Sequence, residues 1–227
     1  MNKAVVLLSG GLDSSTTLGI ADKRCDEIYA LTFRYGQKHD KEVECAKQLC
    51  EHYSAKEHLI LKLPLKETVR SSLLKNGEKI PEHLEEEIGE EIPSTYVPAR
   101  NILFLSYALS YAESIDADAI YIGATAQDYS GYPDCRAEFF DAFRKVVKKG
   151  TKRGVENDPI KIRTPVLNMS KKEIVLKGSE LGVPFDQTWS CYKGGRKACG
   201  ECDSCKLRLQ AFKKAGSEDP IEYEKNQ

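Results

Sequence analysis

Residues 3–18, "KAVVLLSGGLDSSTTL", run from aliphatics through two glycines into a series of hydroxyls. The stretch 3–11 reads as a short buried strand ending at glycine. Leu12, Leu18, Ile20 and Ala21 then give residues 12–25 a helical face. The glycine pair therefore stands in a strand-to-helix turn. Such a turn can simply redirect the chain. It can also cradle phosphate, because amides converge on a phosphate only where no Cβ obstructs them, and the helix behind adds partial positive charge. Ser9, Ser14 and Ser15 supply further donors. The turn lacks the lysine of a G-x-x-x-x-G-K-[ST] loop and the spacing of G-x-G-x-x-G, so neither of those nucleotide folds is indicated.

Working outward, residues 27–36 and 57–63 read as strands on either side of a helix over 39–53 that turns Val43, Ala46, Leu49 and Cys50 inward. A strongly apolar helix over 99–115, a strand over 118–124, an amphipathic segment over 137–150 and, over 161–166, an edge strand or extended segment stopped by Pro165 follow. A helix over 170–182 is announced by a serine cap with glutamate three residues on. This alternation predicts an α/β fold, a doubly wound parallel sheet with helices on both faces. In such sheets ligands gather beyond the carboxyl ends of the strands. Gly10–Gly11, Arg34–Gly36 and Gly123–Gln127 all fall there. Residues 75–96 look irregular, and the acidic run 82–91 reads as a solvated face or a mobile insert over the site.

A chain of 227 residues suits one large domain with an appendage, here 1–188 followed by a cysteine-rich C-terminal module, 189–227. Thirty-four basic against 35 acidic residues leave a net charge of −1, so a chain-wide footprint for nucleic acid is absent. The N-terminal apolar run is too short for a signal peptide, and nothing approaches a membrane span; a cytoplasmic protein with no membrane partner is expected. Its eight cysteines then read as thiols or metal ligands. Cys191, Cys199, Cys202 and Cys205 have the spacing C-x7-C-x2-C-x2-C, a closed tetrathiolate set suited to one structural Zn2+. An iron–sulfur cluster is the rival, although "KLRLQAF" after Cys205 is a helix and not a continued cysteine run. Cys25, Cys45 and Cys50 fall on helical faces and read as core.

"SGGLDS" (9–14) resembles the SGG-x-DS pyrophosphate loop of the N-type ATP pyrophosphatases. "RYGQKHDKE" (34–42), "TYVPARN" (95–101), "DYSGYPDCRAEFFDAF" (128–143) and "TWSCYKGGRKACGECDSCKLR" (188–208) resemble the 7-cyano-7-deazaguanine synthases, the QueC family, nearly end to end. The resemblance implies an adenine nucleotide alpha hydrolase-like (Rossmann-like) sheet and a homodimer. It implies an ATP-dependent ligase that makes 7-cyano-7-deazaguanine (preQ0) from 7-carboxy-7-deazaguanine and ammonium, in queuosine biosynthesis. On this reading Leu8, Ser9, Gly10, Gly11, Leu12, Asp13, Ser14, Ser15, Thr16, Thr17 and Leu18 hold ATP, and Asp13 positions its Mg2+. Arg100 and Arg136 would hold the substrate carboxylate or ATP phosphates. Asp128 and Asp134 would meet the guanine-like edge, and Tyr129 or Tyr132 would stack on the ring. His39 is the histidine nearest the site. A tRNA thiolase is the alternative, and Cys135 would be its sulfur carrier.

Overall fold

The computed structural model describes residues 2–75, 77, 80, 92–126 and 132–224. Five strands, β1 (Lys3–Leu7), β2 (Glu27–Arg34), β3 (Glu57–Lys62), β4 (Ala119–Ile122) and β5 (Lys161–Arg163), form one sheet in the order β3-β2-β1-β4-β5. Every neighbouring pair is parallel, with Ala4 opposite both Ile28 and Ala119. The helices are α1 (Leu12–Asp22), α2 (Lys41–His52), the one-turn α3 (Leu65–Thr68), α4 (Arg100–Ser114), α5 (Ala137–Gly150), the one-turn α6 (Lys152–Val155), α7 (Lys171–Glu180) and α8 (Asp203–Ala215).

The two-residue period of β1 divides the core. Ala4, Val6 and Leu8 pack with Leu18 and Ala21 of α1 and with Ala46 and Leu49 of α2. Val5 and Leu7 belong to a separate cluster with Leu105, Ala108 and Leu109 of α4 and Phe140, Phe143 and Val147 of α5. The sheet is thus covered on both faces, as the alternation of elements requires. A third cluster joins Leu12 and Ile20 of α1, Ile174 and Val175 of α7, and Ala211 and Phe212 of α8. The helix of the cysteine-rich segment therefore shares apolar packing with the α/β part.

Every strand and helix expected between residues 3 and 182 is present, most with shorter ends, while α5 spans the expected 137–150 in full. The segment expected as a strand over 161–166 pairs only from Lys161 to Arg163, because Pro165 has no N–H to continue the ladder. The acidic run 82–91 lies outside the described residues. Among the described residues no helix is long and apolar enough to cross a membrane.

Candidate active site

Strand order reverses between β1 and β4, and the crevice between their carboxyl ends holds a cavity of about 260 Å³. The loop after β1 is pressed into place by close approaches that only glycine permits. A Cβ on Gly10 (φ +88°) would lie 2.2 Å from the Glu42 carbonyl oxygen and 2.9 Å from the Ala46 nitrogen. One on Gly123 would lie 2.9 Å from the Asp13 carbonyl. Gly11 precedes α1 and offers no side-chain cap, so the first amides of that helix open without intrahelical acceptors. Hydroxyls brace the turn: Ser9 Oγ and Ser14 Oγ are 2.9 Å apart, and Ser15 Oγ donates to the Gly11 carbonyl at 2.7 Å. The Trp189 amide donates to the Gly10 carbonyl at 2.9 Å, tying the cysteine-rich segment to the same loop.

Charge is distributed unevenly around the cavity. Asp13, in the first turn of α1, accepts from Lys171 Nζ at 2.6 Å through Oδ2, whereas its Oδ1 is buried with no protein partner. Arg100, at the start of α4, lies near Tyr35, with Nη1 3.5 Å from the phenol oxygen. Burial works against the guanidinium, but Tyr35, Tyr132, Cys135 and Asp134 around it outweigh that and keep it charged. Glu42, on the first turn of α2, also lines the cavity. Burial pushes its carboxyl up to about 7, with Arg100 opposing and Cys191 adding to the rise. His39 lines the cavity edge-on to Trp189, and burial lowers its pKa.

Of the residues expected to hold nucleotide, Leu8, Ser9, Gly11, Leu12, Asp13 and Ser14 line the cavity. Gly10 stands behind them against α2. Ser15, Thr16, Thr17 and Leu18 do not reach it: Thr16 Oγ1 donates to the Ile174 carbonyl at 3.4 Å, and Leu18 is wholly buried among apolar groups. They support the loop from within α1 and do not line the cavity themselves. Arg100 and Tyr132 face the cavity, and Tyr132 is held by Thr95 at 2.7 Å. Asp134 and Arg136 are not among the residues that line the cavity. Through Oδ2 the Asp134 carboxylate accepts from the Asn101 amide at 2.9 Å and so caps the start of α4. Arg136 is exposed at the start of α5, outside the cavity lining. Asp128 and Tyr129 lie outside the described residues.

The sequence reading missed Lys171 and Glu42. Lys171 follows the serine cap of α7 directly, and the cap is what aims it at the loop. Glu42 sits inside a quoted stretch, "RYGQKHDKE", yet nothing in a one-dimensional pattern marks which of its charges turns inward.

The four C-terminal cysteines converge. Their sulfurs all lie within 4.8 Å of one another, every one buried. Cys199 and Cys205 are 3.9 Å apart, close to the ~3.8 Å edge of a tetrahedron with metal–sulfur bonds near 2.3 Å. Backbone amides of Cys199, Glu201 and Cys202 point at cluster sulfurs at 3.4 Å. The set fits one metal ion. A multi-iron cube, with each thiolate on a separate corner, would hold them further apart.

Comparison with known proteins places the sequence in a family. The family model described as queuosine biosynthesis protein QueC matches residues 3–216. The 7-cyano-7-deazaguanine synthase of Desulfitobacterium hafniense is 53% identical over 98% of this chain and 94% of its own. The protein of that name from Acetivibrio thermocellus is 52% identical over 98% of both chains. A solved NMN synthetase from Francisella tularensis is 16% identical, over 96% of this chain and 78% of its own, at a TM-score of 0.49.

Proposed function

This chain belongs to the QueC family, and from that membership we propose that it is an ATP-dependent ligase converting 7-carboxy-7-deazaguanine and ammonia to 7-cyano-7-deazaguanine for queuosine biosynthesis. The observation that carries the reading is an uncapped helix start opening on a cavity, with Asp13 in its first turn and the Arg100 guanidinium lining the same cavity. Those amides suit the pyrophosphate that leaves when AMP is transferred to a carboxylate. The unpartnered Oδ1 of Asp13 fits an oxygen ligand for Mg2+, which would neutralise phosphate charge. Lys171 lies where it can do the same from the other side.

Replacing a carboxylate by a nitrile removes two oxygens, each a poor leaving group. One adenylation makes the acid an acyl-AMP, which ammonia converts to the amide with release of AMP. A second adenylation, on the amide oxygen, allows elimination to the nitrile. Arg100 is assigned to the substrate carboxylate and Tyr132 to the ring wall. One Zn2+ is assigned to Cys191, Cys199, Cys202 and Cys205 as a structural ion. A homodimer and a cytoplasmic location belong to the same reading, and sedimentation tests the first.

The thiolase alternative is not favoured. Burial pushes the Cys135 thiol up to about 11, and Asn101 Nδ2 donates to its sulfur at 3.3 Å, so it is a packed thiol and a poor sulfur carrier. The deciding experiment incubates the purified chain with 7-carboxy-7-deazaguanine, ammonium and Mg-ATP and follows deazapurine and nucleotide products by mass spectrometry. The nitrile, AMP and pyrophosphate are expected. No AMP formed in response to the carboxylate substrate would sink the reading.

A further inference from the structure

Two carboxylates line the cavity, and they are differently placed. Asp13 is engaged by Lys171 at 2.6 Å. Glu42 makes no hydrogen bond or ion pair among the described residues; Arg100 acts on it only across the cavity. Its backbone is nevertheless fixed beside the phosphate loop, since its carbonyl would lie 2.2 Å from a Cβ on Gly10. An anion that is partly buried, unpartnered and adjacent to the reacting end of a nucleotide loop is costly unless a ligand compensates it.

We propose that Glu42 is the seat of the ammonium ion, the cationic substrate that the ligase reading requires. The inference rests on that reading and extends it to the nitrogen donor. Arg100 is the cation that acts on Glu42, and it is the group assigned to the substrate carboxylate; Lys38 and Lys171 line the same cavity, with Lys171 engaged by Asp13. Once that carboxylate occupies Arg100, the counter-charge that Arg100 offers Glu42 is taken up, and a small cation can replace it. The surrounding surface suits a small cation. Tyr35, Trp189 and Tyr192 line the same cavity, and the Trp189 ring already carries the ammonium group of Lys41 3.5 Å above its centroid. Held by Glu42, the nitrogen lies beside the phosphate loop, because the Glu42 backbone closes on Gly10. The high pKa that burial gives Glu42 is in keeping with this role, because a bound cation relieves that desolvation.

The test measures initial rates for wild type, Glu42→Gln and Glu42→Asp with 7-carboxy-7-deazaguanine and Mg-ATP. Ammonium is the donor in one series, and hydroxylamine, uncharged at neutral pH, in another. Glu42→Gln is expected to raise KM for ammonium by about 30-fold or more, with KM for ATP and the deazapurine moving less than about threefold. Glu42→Asp, which keeps the charge, is expected to recover part of the loss. With hydroxylamine the Gln variant should lose no more than about a third as much as it loses with ammonium. An unchanged ammonium KM in Glu42→Gln would overturn the proposal. So would an equal rise in the deazapurine KM, or equal losses with both donors. A wild-type protein that forms no AMP with the carboxylate fails earlier, and that result strikes the ligase reading itself.

Discussion

Asp13 and Lys171 lie 158 positions apart in the sequence and 2.6 Å apart in the fold. The lysine side chain is 12% exposed, so its charge acts in a medium less screened than water. With its ammonium group at the pyrophosphate end of the cavity, Lys171→Ala is expected to lower kcat/KM for ATP by roughly 100-fold or more, the scale of losing one aimed charge. Steady-state release of AMP reads this directly, and an unchanged melting temperature shows that the fold is intact. Glu42 yields a prediction of opposite character, on stability. Its carboxyl rises from 4.5 to about 7 on folding, so the folded state holds that proton more tightly than the unfolded chain does. Its contribution is therefore fully present below pH ~4.5 and is lost as pH rises through about 7. Glu42→Gln should then be more stable than wild type at pH 8, by at most roughly 3 kcal/mol, and should lose that advantage by pH 4.5. Thermal melts across this range check the sign; a variant less stable at pH 8 would show that Glu42 has a partner in the fold. Neither residue was legible in the sequence. The glycines and serines at 9–15 announce themselves by type and spacing, whereas a lysine or glutamate among 69 charged residues is singled out only by where the chain leads it.

The elements were far more legible, because each has a local cause. Ser170 and Glu173 write a capping box three residues apart, and both reciprocal bonds form at the start of α7. Ser170→Ala should cost about 1 kcal/mol of stability. Because Lys171 is the first residue of that helix, the same change should also raise KM for ATP several-fold, which a cap with no link to the site would not do. The end of β4 was harder to place, since Gly123 and Ala124 continue its apolar run but turn from the ladder to face the cavity. Asp134 shows what sequence type alone confuses. Two residues after Tyr132 it has the look of a substrate carboxylate; it is 5% exposed and accepts from the Asn101 amide at the start of α4. That contact reaches another element, 33 residues away, and no local pattern encodes it. Asp134→Asn retains an acceptor and should be tolerated. Asp134→Ala should loosen α4, displace Arg100 beside it, and destabilise the chain by about 1–3 kcal/mol, the cost of an orphaned buried amide. Chemical denaturation of the two variants separates these outcomes.

At the scale of the whole molecule, the cysteine-rich segment is tied into the active site and is more than an appendage. The Trp189 amide holds the Gly10 carbonyl, and Lys41 at the start of α2 donates to the carbonyls of Gly195 and Arg196, at 3.2 and 2.7 Å. Arg208 of α8, 2% exposed, forms a two-pronged pair with Asp219 at 2.7 and 2.9 Å and donates as well to Thr188 and Phe185. Folding of the cluster therefore fixes the wall that carries Trp189 and one anchor of the phosphate loop. Four clustered thiols have little reason to stay together without an ion, so removing the metal should release both contacts in one step. A chelated protein is expected to lose thermal stability and affinity for Mg-free ATP together, with Trp189 emission shifting as the ring becomes wet. Zinc should restore all three, and elemental analysis should find one ion per chain without the visible absorption of an iron–sulfur cluster. If stability fell while ATP affinity stayed at its original value, the bond from Trp189 to Gly10 would be dispensable, and the loop would owe its shape to α2 and β4 alone. The glycine contacts at positions 10 and 123 already supply two of the three supports. The size of the affinity loss therefore measures what the third contributes.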